Sequence, residues 1–208
     1  SSDVQVVLAA SGLLFYSRQG EQAWRSHGGC TSSAPGAEPV WLAHGSPQPP
    51  PDAETLDLNS FYGALAAFGL DYGPAFRCLQ GLQRQGDRAW GQLQRQGDGQ
   101  DWTLLDGCFQ AVAATLDPQG AAGQILLPVG LGRMAFQELP LPDRLECQVQ
   151  LGESDDPALV VANLLLWPAA SAANARQPLG WIEGLQLRRL PRQALDWLFP
   201  MRAGMPMG

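Results

Sequence analysis

The chain has 208 residues, 45% of them hydrophobic, with thirteen basic and twenty acidic side chains and a net charge of −7, which is long enough for one large or two small domains around an apolar core. The acidic balance argues against a nucleic-acid partner, whose phosphates must be neutralised by cations, and gives no general attraction to a membrane surface. All thirteen basic residues are arginine, which excludes Schiff-base chemistry and a phosphate loop of the lysine-containing kind.

The chain starts SSDVQVV, without an initiator Met or a signal-peptide pattern, and reads as a piece of a longer cytoplasmic polypeptide. Residues 4–30 carry strand-like runs, VQVVL and LLFYS, followed by QAWRSHGGC. Between Ser32 and Glu54 the composition changes to a stretch holding six of the seventeen prolines, which suits an extended linker laid over a surface. Asn59 or Ser60 then offers an N-cap for FYGALAAF, and Gly69 stands where a helix ends. GLDYGPAFR announces a sharp bend at Gly73-Pro74, and AFRCLQGLQRQ and RAWGQLQ have the look of a hairpin.

TLLDGCFQAVAATL is apolar almost all round and stops at Asp117-Pro118, so it predicts a buried helix. Four strand candidates follow, QILLPVGLGRMAF, RLECQVQL, ALVVANLLLW and WIEGLQLRRL, separated by Pro, Gly and Asp clusters. One buried helix followed by antiparallel strands points to an α+β fold in which a sheet wraps around the helix. The longest apolar run is too short to span a bilayer. Only two histidines, His27 and His44, and four cysteines without a C-x-x-C pair are present, so no metal site is expected. The cysteines read as buried or free thiols of a reducing compartment.

Within the apolar helix Asp106 is the one ionisable side chain, with Gln110 four residues later on the same face. Leu104, Leu105, Cys108 and Phe109 would desolvate the carboxyl and keep it protonated as a general acid. The positive end of the helix opposes this by favouring the ionised form, and a plain first-turn helix acid is the competing reading.

GLDYGPAFR, LLDGCFQA and ILLPVGLGRM together resemble the dehydratase domain of modular polyketide synthases, whose motifs Y-G-P-x-F, L-D-x-x-x-Q and L-P-x-x-x-x-R occur in that order. The resemblance implies a double hotdog, two helix-in-sheet halves side by side, of which the first is incomplete here. Residues 1–31 would end the first hotdog, with Trp24 and His27-Gly-Gly similar to a W-x-x-H-x-G stretch. Residues 32–58 would be the linker, 59–192 the second hotdog and 193–208 a tail. The implied activity is dehydration of a β-hydroxyacyl thioester held on the phosphopantetheine of an acyl carrier protein, with no further cofactor. Asp106 would be the acid and Gln110 its orienting partner, while Tyr72, Gly73, Pro74 and Phe76, with Leu105, would shape the substrate pocket. Carrier protein and neighbouring synthase domains are the implied partners, and a homodimer is compatible with the fold class.

Two departures from the family stand out. The H-x-x-x-G-x-x-x-x-P motif that carries the family's catalytic base is absent, and neither His27 nor His44 fits it; Asp101-Trp102 stands where the family commonly has His-Pro. A missing upstream segment, a base from another chain and a degenerate scaffold are the competing explanations, and cyclisation or double-bond migration are alternative reactions of the same fold. Arg188, Arg189 and Arg192 form the one dense basic cluster, a candidate docking patch for an acidic carrier protein or simply a solvated strand end.

Overall fold

The structure is a computed structural model that describes residues 2–9, 12–19, 21–31, 38–67, 69–116, 124–169 and 177–191. The chain divides into two compact units, residues 1–40 and 41–208. The first is a three-stranded antiparallel sheet of β1 (Ser2–Ala9), β2 (Gly12–Gln19) and β3 (Arg25–Cys30), in that order. These strands carry the VQVVL, LLFYS and RSHGGC runs.

In the second unit β4 (Glu54–Thr55) leads into α1 (Leu58–Ala67), followed by the hairpin β5 (Leu79–Gln85) and β6 (Arg88–Gln94) and then by α2 (Asp101–Val112). The remaining strands are β7 (Gln124–Gly130), β8 (Arg133–Phe136), β9 (Arg144–Leu151), β10 (Leu159–Pro168) and β11 (Gly180–Pro191). All pairings are antiparallel, in the order β4-β5-β6-β9-β10-β11-β7, with β8 also on β11. The segment QILLPVGLGRMAF is therefore two strands rather than one. Pro128 sits in β7 at the end of this order, where a missing N–H costs no ladder bond on the open side.

α2 packs on the inner face of this sheet, burying Thr103, Leu104, Gly107, Cys108 and Ala111 among Leu93, Leu145, Cys147, Val149 and Leu164. This is the hotdog arrangement, a curved antiparallel sheet around a central helix. The helix starts at Asp101 and gives way at Ala113 to a short 3-10 turn, one turn before the Asp117-Pro118 stop expected from sequence, which itself lies outside the described residues. The outer face of the sheet is covered too. Ser46 donates its N–H to Gln148 Oε1 (2.8 Å) and accepts at its carbonyl from Trp90 Nε1 (3.0 Å), so the Pro-rich stretch from Trp41 onward lies over Trp90, Gln148 and Leu165. Burial on both faces explains why ALVVANLLLW reads as a continuous apolar run without strand alternation.

The cap of α1 corrects the sequence expectation. Asp57 Oδ2 accepts from Ser60 N–H (2.8 Å), so Asp57 is the capping side chain and Asn59 and Ser60 lie inside the helix. At the other end Gly69 adopts φ +94°, with Gly69 N–H donating to Ala66 O (2.8 Å) and Leu70 N–H to Leu65 O (2.9 Å), the paired bonds of a Schellman ending.

The entry to α2 is held by Arg95. Its guanidinium donates to Asp143 Oδ1 (2.9 Å), Asp101 Oδ1 (2.8 Å) and the carbonyls of Gly99 (3.1 Å) and Leu141 (2.7 Å), while Asp101 Oδ2 accepts from Leu141 N–H (3.1 Å). Asp101 thus ties the first turn of α2 to the end of β6 and to the loop before β9.

Two helical glycines should respond oppositely to alanine. Exposed Gly63 has open space around its Cα, so Gly63→Ala is expected to stabilise by about 0.5–1 kcal/mol through helix propensity. A Cβ on Gly107 would lie 2.6 Å from Leu93 Cδ2 and 3.3 Å from Cys78 Cβ, so Gly107→Ala is expected to cost roughly 1–3 kcal/mol despite the same propensity gain. Urea unfolding of both variants measures this; stabilisation by Gly107→Ala would contradict the close packing of α2 on β6.

Candidate active site

The face of α2 turned away from the sheet carries Asp106, Phe109 and Gln110, which with Ala113 of the following 3-10 turn line a cavity of about 280 Å³. Phe61, Ala64 and Leu65 of α1 form the facing wall, and Ile125 and Leu126 of β7 with Leu187 of β11 close it. The lining is apolar apart from Asp106, Gln110, Tyr72, Gln124 of β7 and a few polar groups on the α1 and β5 side, where Arg84 is paired with Glu54 at 2.8 Å. The helix is apolar all round because one face packs on the sheet and the next lines an apolar space.

Asp106 accepts a hydrogen bond at Oδ2 from Gln110 Nε2 (2.7 Å). The same amide nitrogen donates to the carbonyl of Phe76 (3.0 Å), and Gln110 Oε1 accepts from the Tyr62 hydroxyl (3.1 Å). A backbone carbonyl can only accept, so Phe76 O dictates which end of the amide is the NH₂ and leaves Asp106 facing a donor. Gln110 is buried, at 3% exposure. Removing its amide would strand the Phe76 carbonyl and take away the acceptor of the Tyr62 hydroxyl, at about 1–3 kcal/mol.

Burial pushes the Asp106 carboxyl above its ordinary range, against the opposing hydrogen bond from Gln110. Asp106 is the sixth residue of α2, beyond the first turn where the helix dipole acts, and the first-turn acid is Asp101. Tyr62 is pushed up to about 12, chiefly by burial, and Tyr72 is raised by burial and then by the neighbouring Asp106. Both hydroxyls are therefore neutral donors at physiological pH.

Of the residues singled out from sequence, Asp106, Gln110 and Tyr72 come together at the cavity; Gly73, Pro74, Phe76 and Leu105 do not line it. The Gly73-Pro74 bend starts a 3-10 turn over Pro74–Phe76, held by Phe76 N–H to Gly73 O (3.0 Å) and by Arg77 Nε to Tyr72 O (2.8 Å). This turn presents the Phe76 carbonyl to Gln110, while the Phe76 ring leans on Trp102 with centroids 5.1 Å apart. Leu105 packs half-buried against the core. Tyr62 was not legible as a site residue, since its link to Gln110 spans 48 positions and no local pattern marks it.

His27 lies on β3 in the first unit, its Nε2 2.6 Å from Ser17 Oγ. His44 is exposed, in the stretch on the outer face of the sheet, with the sheet between it and Asp106. Arg188 and Arg189 are neighbours on β11 and point to opposite faces, Arg188 exposed and paired with Asp156 (3.4 Å) and Arg189 half-buried, so the two do not form one patch; Arg192 lies outside the described residues. Among the described residues no cluster of three potential metal ligands occurs, and no helix is long and apolar enough to cross a membrane.

The sequence matches the family described as the polyketide synthase dehydratase N-terminal domain over residues 42–196. It is 32% identical over 140 residues to the spectinabilin polyketide synthase system protein NorA' of Streptomyces orinoci, covering 61% of this chain and 4% of that protein. It is 30% identical over 104 residues to the pikromycin polyketide synthase component PikAII of Streptomyces venezuelae, covering 46% of this chain and 3% of that one. The chain thus spans only a small part of these curated relatives. Among solved structures, it resembles the dehydratase domain from the CurJ module of curacin polyketide synthase, with a TM-score of 0.70 and 19% identity over 92% of this chain and 69% of that chain. It also resembles the bifunctional dehydratase-cyclase domain in ambruticin biosynthesis, with a TM-score of 0.63 and 23% identity over 91% and 68% of the two chains. At these identities the structural likeness speaks to the fold.

The raised Asp106 predicts a pH-dependent stability difference. A carboxyl whose folded pKa lies above its unfolded value of 3.8 costs nothing below that value and destabilises progressively as pH rises through the folded pKa. Asn at this position offers Gln110 the same acceptor without the charge. Asp106→Asn is therefore expected to gain in thermal midpoint relative to the parent as pH rises from 3.8 to 7; parallel profiles over that range would show that burial does not dominate at Asp106.

Proposed function

The chain belongs to the polyketide synthase dehydratase family, and we propose that it takes part in removing water from a β-hydroxyacyl thioester on an acyl carrier protein, leaving an α,β-unsaturated chain. The observation that carries this reading is the Asp106 carboxyl, held at the wall of an apolar cavity by an amide whose orientation is dictated from elsewhere in the fold. Gln110 occupies Oδ2, so the acidic proton belongs on Oδ1.

In the proposed reaction a base takes the α-proton, the C–H electron pair becomes the Cα=Cβ bond, and the β C–O bond breaks. The departing hydroxyl takes the Asp106 proton and leaves as water. The carboxylate left behind is stabilised by the Gln110 N–H and regains a proton before the next turnover. Burial of Asp106 favours the protonated form that this step needs. The apolar lining suits the acyl chain.

The described lining residues offer no base: Arg84 is paired with Glu54, Tyr72 is held protonated, and Asp57 caps α1. In this reading the base is a histidine from another part of a cytoplasmic synthase, and carrier protein and adjoining synthase domains are the partners. The lack of a base among the described lining residues favours a second reading, a non-catalytic hotdog scaffold. Cyclisation after dehydration would use the same polar groups, and only product analysis separates the two.

The test is intact mass spectrometry of a carrier protein loaded with a β-hydroxyacyl chain, incubated with this polypeptide and, in parallel, with the longer synthase polypeptide that contains it. Loss of one water is expected in at least the longer form, falling by a factor of at least about 100 in Asp106→Asn, the usual scale for a general acid. No loss in either form would favour the scaffold, and loss unaffected by Asp106→Asn would remove the acid from its role.

A further inference from the structure

Trp102 is 57% exposed although it stands in the first turn of the central helix. Its backbone is not loose. The preceding residue, Asp101, is bonded to Arg95 and to the Leu141 N–H, and the Trp102 ring is seated on Phe76 at 5.1 Å with the planes inclined by 56°. Phe76 is the same residue whose carbonyl holds Gln110, so the aromatic pair, exposed at Trp102 and half-buried at Phe76, shares one support with the acid.

The position of this pair relative to the cavity gives it a chemical meaning. Every residue of α2 and its continuation that lines the cavity apart from Asp106 is C-terminal to it: Phe109, Gln110, Ala113, Ala114 and Leu116. Trp102 lies four residues before Asp106, on the same helical face, one turn away on the side opposite the cavity. A substrate whose β-hydroxyl meets Asp106 and whose alkyl chain fills the apolar cavity directs its thioester, only three bonds from the β-carbon, away from the cavity. That is the side where the indole stands.

We propose that Trp102, seated on Phe76, is the subsite for the amide-bearing pantetheine arm of the substrate. The inference rests on the dehydratase reading and deepens it. An indole face suits this ligand, because the flat amides of the arm stack on it and its methylene and gem-dimethyl groups bury apolar area against it. The surface is also pre-organised by the Arg95–Asp101 pair and by Phe76, so little ordering is lost on binding.

The experiment compares two inert analogues by calorimetry on the full chain. One is a β-hydroxyalkyl group joined through a thioether to pantetheine; the other carries the same alkyl group and ends in an ethyl thioether. The pantetheine analogue is expected to bind about tenfold more tightly, Trp102→Ala to erase that difference, Trp102→Phe to keep most of it, and the ethyl analogue to bind all three proteins equally. Circular dichroism controls for folding of the surface variants. If the difference persists in Trp102→Ala, or if that variant weakens both analogues equally, the subsite is wrong while the dehydratase reading stands. If neither analogue binds this chain or the longer synthase polypeptide that contains it, the dehydratase reading fails and takes the subsite with it.

Discussion

The bond from Gln110 Nε2 to the Phe76 carbonyl is the constraint on which the rest of the site depends. A side-chain amide alone does not know which of its ends to offer a carboxyl. The carbonyl decides, because it accepts only, and the Tyr62 hydroxyl occupies the other end of the amide. The Gly73-Pro74 bend therefore does more than turn the chain. It carries the Phe76 carbonyl to the central helix and leaves the Phe76 ring outside the cavity, against Trp102.

Around that bond the fold separates two demands made on one helix. The sheet side of α2 packs closely, with Gly107 admitting Leu93 and Cys78 where a larger residue would not fit. The other side keeps an apolar space open and places one carboxyl at its wall. The cost of partly burying that carboxyl is reduced by the Gln110 N–H and remains as a raised proton affinity, the property a proton donor needs. Arg95 anchors the start of the same helix through Asp101, so the position of the acid is set from both ends.

Charge is used sparingly near the cavity. Arg84 faces Glu54, Asp57 caps α1, and Asp101 is taken up by Arg95, which leaves Asp106 without a cationic partner among the described residues. A nearby cation would have favoured the carboxylate and weakened the acid. The same economy explains why the described lining residues supply no base, and why the proposed α-proton abstraction is assigned to another part of a synthase.

The sequence by itself determined the local elements and the acid. The turn at Gly73-Pro74, the hairpin of β5 and β6, the buried helix and the i, i+4 pairing of Asp106 with Gln110 are all written within a few residues, through dihedral restriction, alternation and helical spacing. It misjudged the α1 cap by a few residues and merged β7 with β8, where apolar character alone does not mark a break. Only the tertiary structure decided that Tyr62 and the Phe76 carbonyl, 48 and 34 positions from Gln110, orient its amide, that Tyr72 lines the cavity while Phe76 does not, and that Arg188 and Arg189 diverge. Those outcomes depend on strand order and on how two helices face one another across a cavity. No local window of sequence contains both partners of such a contact, because antiparallel pairing brings them together only after the whole sheet has formed.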